Sequence, residues 1–135
     1  MKLTTAIRTA VAQEIVDAMA AGTANPTPVM EIYTGAEPAQ MGQTISDTLL
    51  GTLDLSAGAA DNLNGVIDFH TISDEPSAPA SGNAGWCRVL NRDGNEAVYF
   101  SISEDGSADI QFNTTSIIQG APISISSLQV VVGGA

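Results

Sequence analysis

Basic residues are scarce in this chain. Lys2, Arg8, Arg88 and Arg92 stand against fifteen acidic side chains, a formal net charge of −11 over 135 residues. A body this acidic repels phosphate, so neither nucleic acid nor an anionic membrane is expected as a partner. The simplest use of such charge is to keep an abundant protein soluble. The single cysteine, Cys87, excludes an internal disulfide. The single histidine, His70, excludes a His-rich metal cluster, and a conventional catalytic triad is not expected around it. Aromatics are also few (one Trp, two Tyr, three Phe), so the core must be built from Ile, Leu, Val and Ala. No apolar run is long enough to span a membrane. The apolar start is interrupted by Arg8, Gln13, Glu14 and Asp17, which is unlike a secretion signal and points to synthesis in a reducing cytoplasm.

What is present is clearest over residues 86–112. Three apolar-rich runs are separated by Asp93-Gly94 and Asp105-Gly106, and Asp-Gly supplies the positive φ angles of tight turns, so an antiparallel meander is expected. In the middle run Val98, Phe100 and Ile102 share one parity, and Tyr99 and Ser101 the other. One face is therefore buried and the other wet.

Residues 3–21 form the one convincing helix. Leu3, Ile7, Val11, Ile15 and Ala18 fall in one stripe at about 100° per residue; Val16 and Met19 lie off it. Thr4 or Thr5 can cap its start and Gly22 can end it. Such a helix carries more apolar surface than one packing face needs. It packs on its own domain or is offered to a neighbouring subunit, and Leu3, Ile7, Val11, Ile15 and Met19 are the candidate interface residues. Pro26 and Pro28 make residues 23–28 a stiff linker. The helix and linker, residues 1–25, are thus set off from a β domain at 26–135.

Strands are expected at 29–34, 48–55 and 66–69. Leu49, Leu53 and Leu55 share a face with Gly51, which marks a bulge or a close backbone approach. Residues 56–65 read as turns and 71–85 as a long exposed loop. Ile123 and Ile125 differ in parity from Leu128, Val130 and Val132, so a break at Ser126-Ser127 bends the last strand between two sheets. About seven to nine short strands and one N-terminal α-helix define a mainly β fold, an antiparallel β-sandwich or jelly roll.

The residues with chemical potential read mostly as structure. His70 lies on the outward side of a strand, and Cys87 reads as a buried small hydrophobe. Asp61, Asn62 and Asn64 before Gly65 resemble a calcium loop only weakly, without its closing Glu. The acidic residues are scattered, so no carboxylate pair stands out for glycoside hydrolysis. Trp86, Tyr33 and Tyr99 are the residues available for a sugar platform, with core or interface packing as the other reading.

Taken in order, LTTAIRTAVAQEIVDAM, EIYTGAEP, TLLGTLDLSAGA, GWCRVLNRDGNEAVY and ADIQFNTTSIIQGAPISISSLQV resemble the small cement, or head decoration, proteins of tailed bacteriophages. Ile32-Tyr33-Thr34-Gly35 with Pro38, and Leu49-Leu50 through Leu55-Ser56, carry most of the likeness. The resemblance implies a jelly-roll domain on the exterior of a phage head, stabilising the shell. It also implies no enzymatic activity, no cofactor and no metal. The implied partners are the major capsid protein and further copies of the chain, as a homotrimer in preference to a dimer. A carbohydrate-binding or adhesion module of a head or tail fibre is the second expectation.

Overall fold

The computed structural model describes residues 1–133. One helix, α1 (Thr5–Ala20), precedes nine strands: β1 (Val29–Thr34), β2 (Leu49–Asp54), β3 (Ala60–Leu63), β4 (Val66–Phe69), β5 (Gly82–Leu90), β6 (Glu96–Ser103), β7 (Ile110–Gln111), β8 (Ser116–Ile117) and β9 (Gln129–Val131). The larger sheet runs β2-β1-β5-β6-β7, with β8 paired to the start of β5. The smaller runs β3-β4-β9. The mainly β sandwich with an N-terminal helix, expected from the sequence, is what forms.

Strand periodicity explains the core. Met30 and Ile32 of β1 sit beside Val89 and Cys87 of β5, which in turn sit beside Val98 and Phe100 of β6. All except the half-buried Val98 are buried, and they pack with Ile67, Phe69 and Val130 of the smaller sheet. The rings of Phe69 and Phe100 meet edge to face at 6.3 Å. Each fully buried aliphatic or aromatic side chain of this kind is worth about 1.5–3 kcal/mol.

The first Asp-Gly turn makes the expected hairpin. Gly94 has φ +80, and the Asn91 side chain accepts the Asp93 and Asn95 amides at 3.0 and 3.1 Å. The second does not. After Asp105-Gly106 the chain doubles back so that β7 lies parallel to β6, Ile102 beside Ile110. Asp109 replaces the hairpin ladder: its carboxylate accepts the Ser101 amide and hydroxyl, while its own amide donates to Ser101 Oγ.

Three further expectations are corrected. Residues 56–65 contain a strand, β3, joined to β4 by Asn64-Gly65. Both residues have positive φ (53° and 85°), as a type I′ hairpin turn requires. Residues 71–85 are not simply an exposed loop. Ile72 and Ala78 are buried, Glu75 bridges Ile123, and β5 already begins at Gly82. In β2 Leu53 is fully buried as expected, and Leu55 just beyond it is buried, but Leu50 takes the place expected of Leu49, because the register with β1 slips between Ile32↔Gly51 and Tyr33↔Leu49. The bulge sits beside Gly51, where a Cβ would lie 2.5 Å from Ile123 Cδ1. The Glu75 carboxylate accepts the Thr52 amide at 3.1 Å and so occupies a group on this outer strand.

The last segment changes phase where the sequence does. Ile123 pairs with Glu75 near the larger sheet, the chain bends at Ser126, and β9 joins the smaller sheet.

Candidate interaction surface

Thr4, extended at φ −64 and ψ 158, caps α1 by accepting the Ile7 amide on Oγ1 at 3.3 Å. Beyond the helix the chain is stitched to the β5–β6 turn. Thr23 and Ala24 amides donate to Asp93 Oδ1 at 2.9 and 3.0 Å, and the Asn25 amide donates to Arg92 O at 2.9 Å. Arg92 answers with its amide on Ala21 O and its Nε on Asn25 O. Asp93 is held below its ordinary carboxyl value by the two amides it accepts. The linker is therefore fixed by hydrogen bonds as well as by its prolines.

The helix turns a different face inward from the one its sequence stripe suggests. Ala12, Val16 and Met19 are buried in the same core as the strands. The rotation follows from polar anchors at the other end. Asn62 Nδ2 donates to Thr9 O at 2.7 Å, Arg8 Nη2 donates to Asn64 O at 3.3 Å, and Gly65 lies close against the Arg8 backbone. These contacts set residues 8, 9 and 12 against the β3–β4 hairpin.

The five candidate interface residues consequently separate. Met19 is fully buried and belongs to the domain's own core, so it presents no surface to a partner. Leu3 and Ile15 are half-buried. Ile7 and Val11, one turn apart, remain 48% and 40% exposed. Helical spacing places Ala18, also exposed, on their side of α1. The helix thus has two apolar sides, of which one closes the core and the other meets solvent.

The outward face of the larger sheet is not wholly wet. Tyr33 stacks on Trp86 at 4.7 Å, and Tyr99 packs against Trp86 at 5.0 Å. Arg88 lies 5.8 Å from the Tyr33 ring centre, donates to Glu31 Oε1 at 2.6 Å, and donates to Glu96 Oε2 at 3.0 Å. The Tyr99 hydroxyl also donates to Glu96 Oε2. Segment 36–47 is fastened here by the Gly42 amide on Glu96 Oε1 and by Trp86 Nε1 on Asp47 Oδ2. The Tyr99 hydroxyl, then Arg88, hold Glu96 below its ordinary value; burial, then the facing carboxylates, push Tyr33 and Tyr99 up. Burial opposes the Arg88 charge, yet the hydrogen bonds to Glu31 and Glu96 outweigh it and hold the proton more firmly. Trp86 is fully buried and Tyr33 nearly so, and their ring faces are taken by one another. That leaves no open sugar platform at this stack. The alternation Glu31–Tyr33 and Trp86–Arg88 is the sequence signal for this cluster, since i and i+2 share a strand face.

The other residues with chemical potential in the sequence are committed locally. His70 Nε2 lies 2.9 Å from Asp61 Oδ1. Asn62, in the segment with some likeness to a calcium loop, spends its amide on Thr9 O and on the Gly65 amide. Cys87 is fully buried, and burial pushes its thiol far up. Among the described residues no group of three His, Cys, Asp or Glu could hold a metal ion, and no helix is long and apolar enough to cross a membrane.

No protein-family model, curated protein or solved structure matches the chain.

Proposed function

We propose that this chain is a cement protein, bound to the outside of a tailed-phage head and stabilising its shell. The observation that carries the reading is the exposed apolar side of α1. Ile7 and Val11 lie on a helix already anchored to its domain by Ala12, Val16 and Met19, so a second partner for that helix needs no refolding. The ordered likeness of the sequence to head decoration proteins names the partners: the major capsid protein and further copies of the chain, as a homotrimer on a local symmetry axis.

The action is adhesive. A capsid lattice under internal pressure fails where subunits part. A domain bound across several subunits resists parting, because its binding energy must be lost first. Several modest contacts acting together suffice, each complex burying on the order of 1,000 Å² or more.

Cosedimentation tests this reading. Purified protein is mixed with heads of the phage that encodes it, stripped of the protein, and the bound copies per head are counted. Saturable binding at a fixed ratio to capsid subunits is expected. Protein that stays in the supernatant at every concentration overturns the proposal.

A further inference from the structure

The outward face of the smaller sheet carries two rows of side chains set by strand register. Leu63 pairs with Val66, and Val66 with Val131, which puts three aliphatic residues in line across β3, β4 and β9. Leu63 is 71% exposed and Val131 55% exposed. Two residues along, on the same face, Asp61 pairs with Asp68 and Asp68 with Gln129. A shallow hollow of about 890 Å³ is lined by Leu63 and Val66 of the first row and by Asp61, Asp68 and Gln129 of the second, with Val131 beyond its rim.

The charges on this face are arranged at a cost. Carboxylates directly opposite on neighbouring strands repel. His70 approaches Asp61, but the Asp68 carboxylate has no hydrogen bond or ion pair among the described residues, its backbone alone being paired in the strand ladders. The chain has four basic residues, and three are committed elsewhere: Arg8 is bonded to Asn64 O, Arg88 lies between two glutamates, and Arg92 is bonded to Asn25 O. Lys2, ahead of α1, forms no ion pair among the described residues. None of the chain's cations is paired with Asp68, which leaves this exposed carboxylate open to a cation from outside. A second copy is a poor source at this face, since three of its four basic residues are already bonded within it. A free metal ion or an isolated amine would leave the aliphatic row uncovered.

We propose that this face is a docking surface for a protein segment presenting Lys or Arg beside an aliphatic side chain. The aliphatic group covers Leu63 and Val131, and the cation sits between Asp61 and Asp68, where it offsets their repulsion. The surface is separate from the exposed side of α1 and does not depend on the partner being a capsid.

Methyl NMR of the full chain tests it, with a short capped peptide of alternating Lys and Leu as probe, and a Glu-Leu peptide and lysinamide as controls. The Lys-Leu peptide is expected to shift the methyls of Leu63, Val66 and Val131, and neither control is expected to do so. Asp68→Asn and Leu63→Ser, both at exposed positions, are each expected to weaken the peptide at least about fivefold, and salt near 0.5 M to weaken it further. Shifts centred elsewhere, equal shifts from a control, or unchanged binding by both variants overturn the proposal. If the peptide maps to this face while heads fail to bind the protein, the docking surface stands and the capsid reading falls.

Discussion

The ring of Tyr33 lies stacked on that of Trp86, with centroids 4.7 Å apart and planes 17° apart. Both residues face away from the main core, so the larger sheet is packed on its two sides. Trp86→Ala is therefore expected to cost about 3–5 kcal/mol, comparable to Phe100→Ala on the core side. Urea unfolding of both variants checks this. A loss below about 1 kcal/mol for Trp86→Ala would mean that the outer cluster contributes little to stability.

Groups inside this cluster and outside it give stability two pH limits. Glu96, Asp93 and Asp105 are held below their ordinary values in the folded chain, by the Tyr99 hydroxyl, by the Thr23 and Ala24 amides, and by Ser107 respectively. Their contribution is present above the ordinary carboxyl range near about pH 4 and is lost as pH falls below it. Tyr33, Tyr99 and Cys87 are raised by burial. Their contribution is present below the ordinary values, about 8.5 for Cys and about 10 for Tyr, and is lost as pH rises past them. Melting temperature is expected to be level between about pH 5 and pH 8 and to fall on both sides. A melting temperature still rising below pH 4 would contradict the assignment.

Two glycines separate turn strain from crowding. Gly65 and Gly94 both have positive φ, 85° and 80°, but a Cβ at Gly65 would lie 2.7 Å from Arg8 Cβ, while none at Gly94 would meet anything within 4 Å. Both Ala variants strain the turn by about 1 kcal/mol. Gly65→Ala must also push α1 away and is expected to lose at least about 1 kcal/mol more. Equal losses would show that α1 is not seated on this hairpin.

The two sides of α1 are expected to behave differently. Met19→Ala empties a fully buried site and should cost about 2–5 kcal/mol. Val11→Asp changes an exposed position and should alter stability by no more than about 0.5 kcal/mol while weakening self-association or attachment to heads. Removing residues 1–24 takes Ala12, Val16 and Met19 from the core, so the remaining strands should unfold or bind hydrophobic dye. Melting and sedimentation measured together decide the matter. A Val11→Asp variant that melts and associates like the parent would remove the interface role of this side.

These outcomes follow from features that differed in how well the sequence displayed them. Strands at Val29–Thr34 and Val66–Phe69 were legible because apolar alternation and flanking turn residues agree there. The phase change at Ser126-Ser127 was legible for the same reason. The β3 strand was not, since Ala60–Leu63 has little apolar character and only Asn64-Gly65 marks its hairpin. The parallel course of β7 depends on Asp109 binding Ser101, a side-chain contact that no periodicity displays. The inward face of the helix was not legible because Ile7, Val11 and Ile15 form as good a stripe as Ala12, Val16 and Met19. Anchors from Asn62 and Asn64, more than fifty residues away, choose between them. The outer face of the larger sheet looked wet because Glu31, Arg88 and Glu96 are charged, and only their mutual pairing covers the rings.

The thermal rupture of DNA-filled heads tests the central claim most directly. Heads lacking this protein are heated alone and after saturation with it, and DNA release is followed by dye fluorescence. Saturated heads are expected to rupture at a temperature several degrees higher, with Val11→Asp restoring less of the gain at equal concentration. Heads that bind the protein fully yet release DNA at the same temperature as bare heads would contradict a cement role.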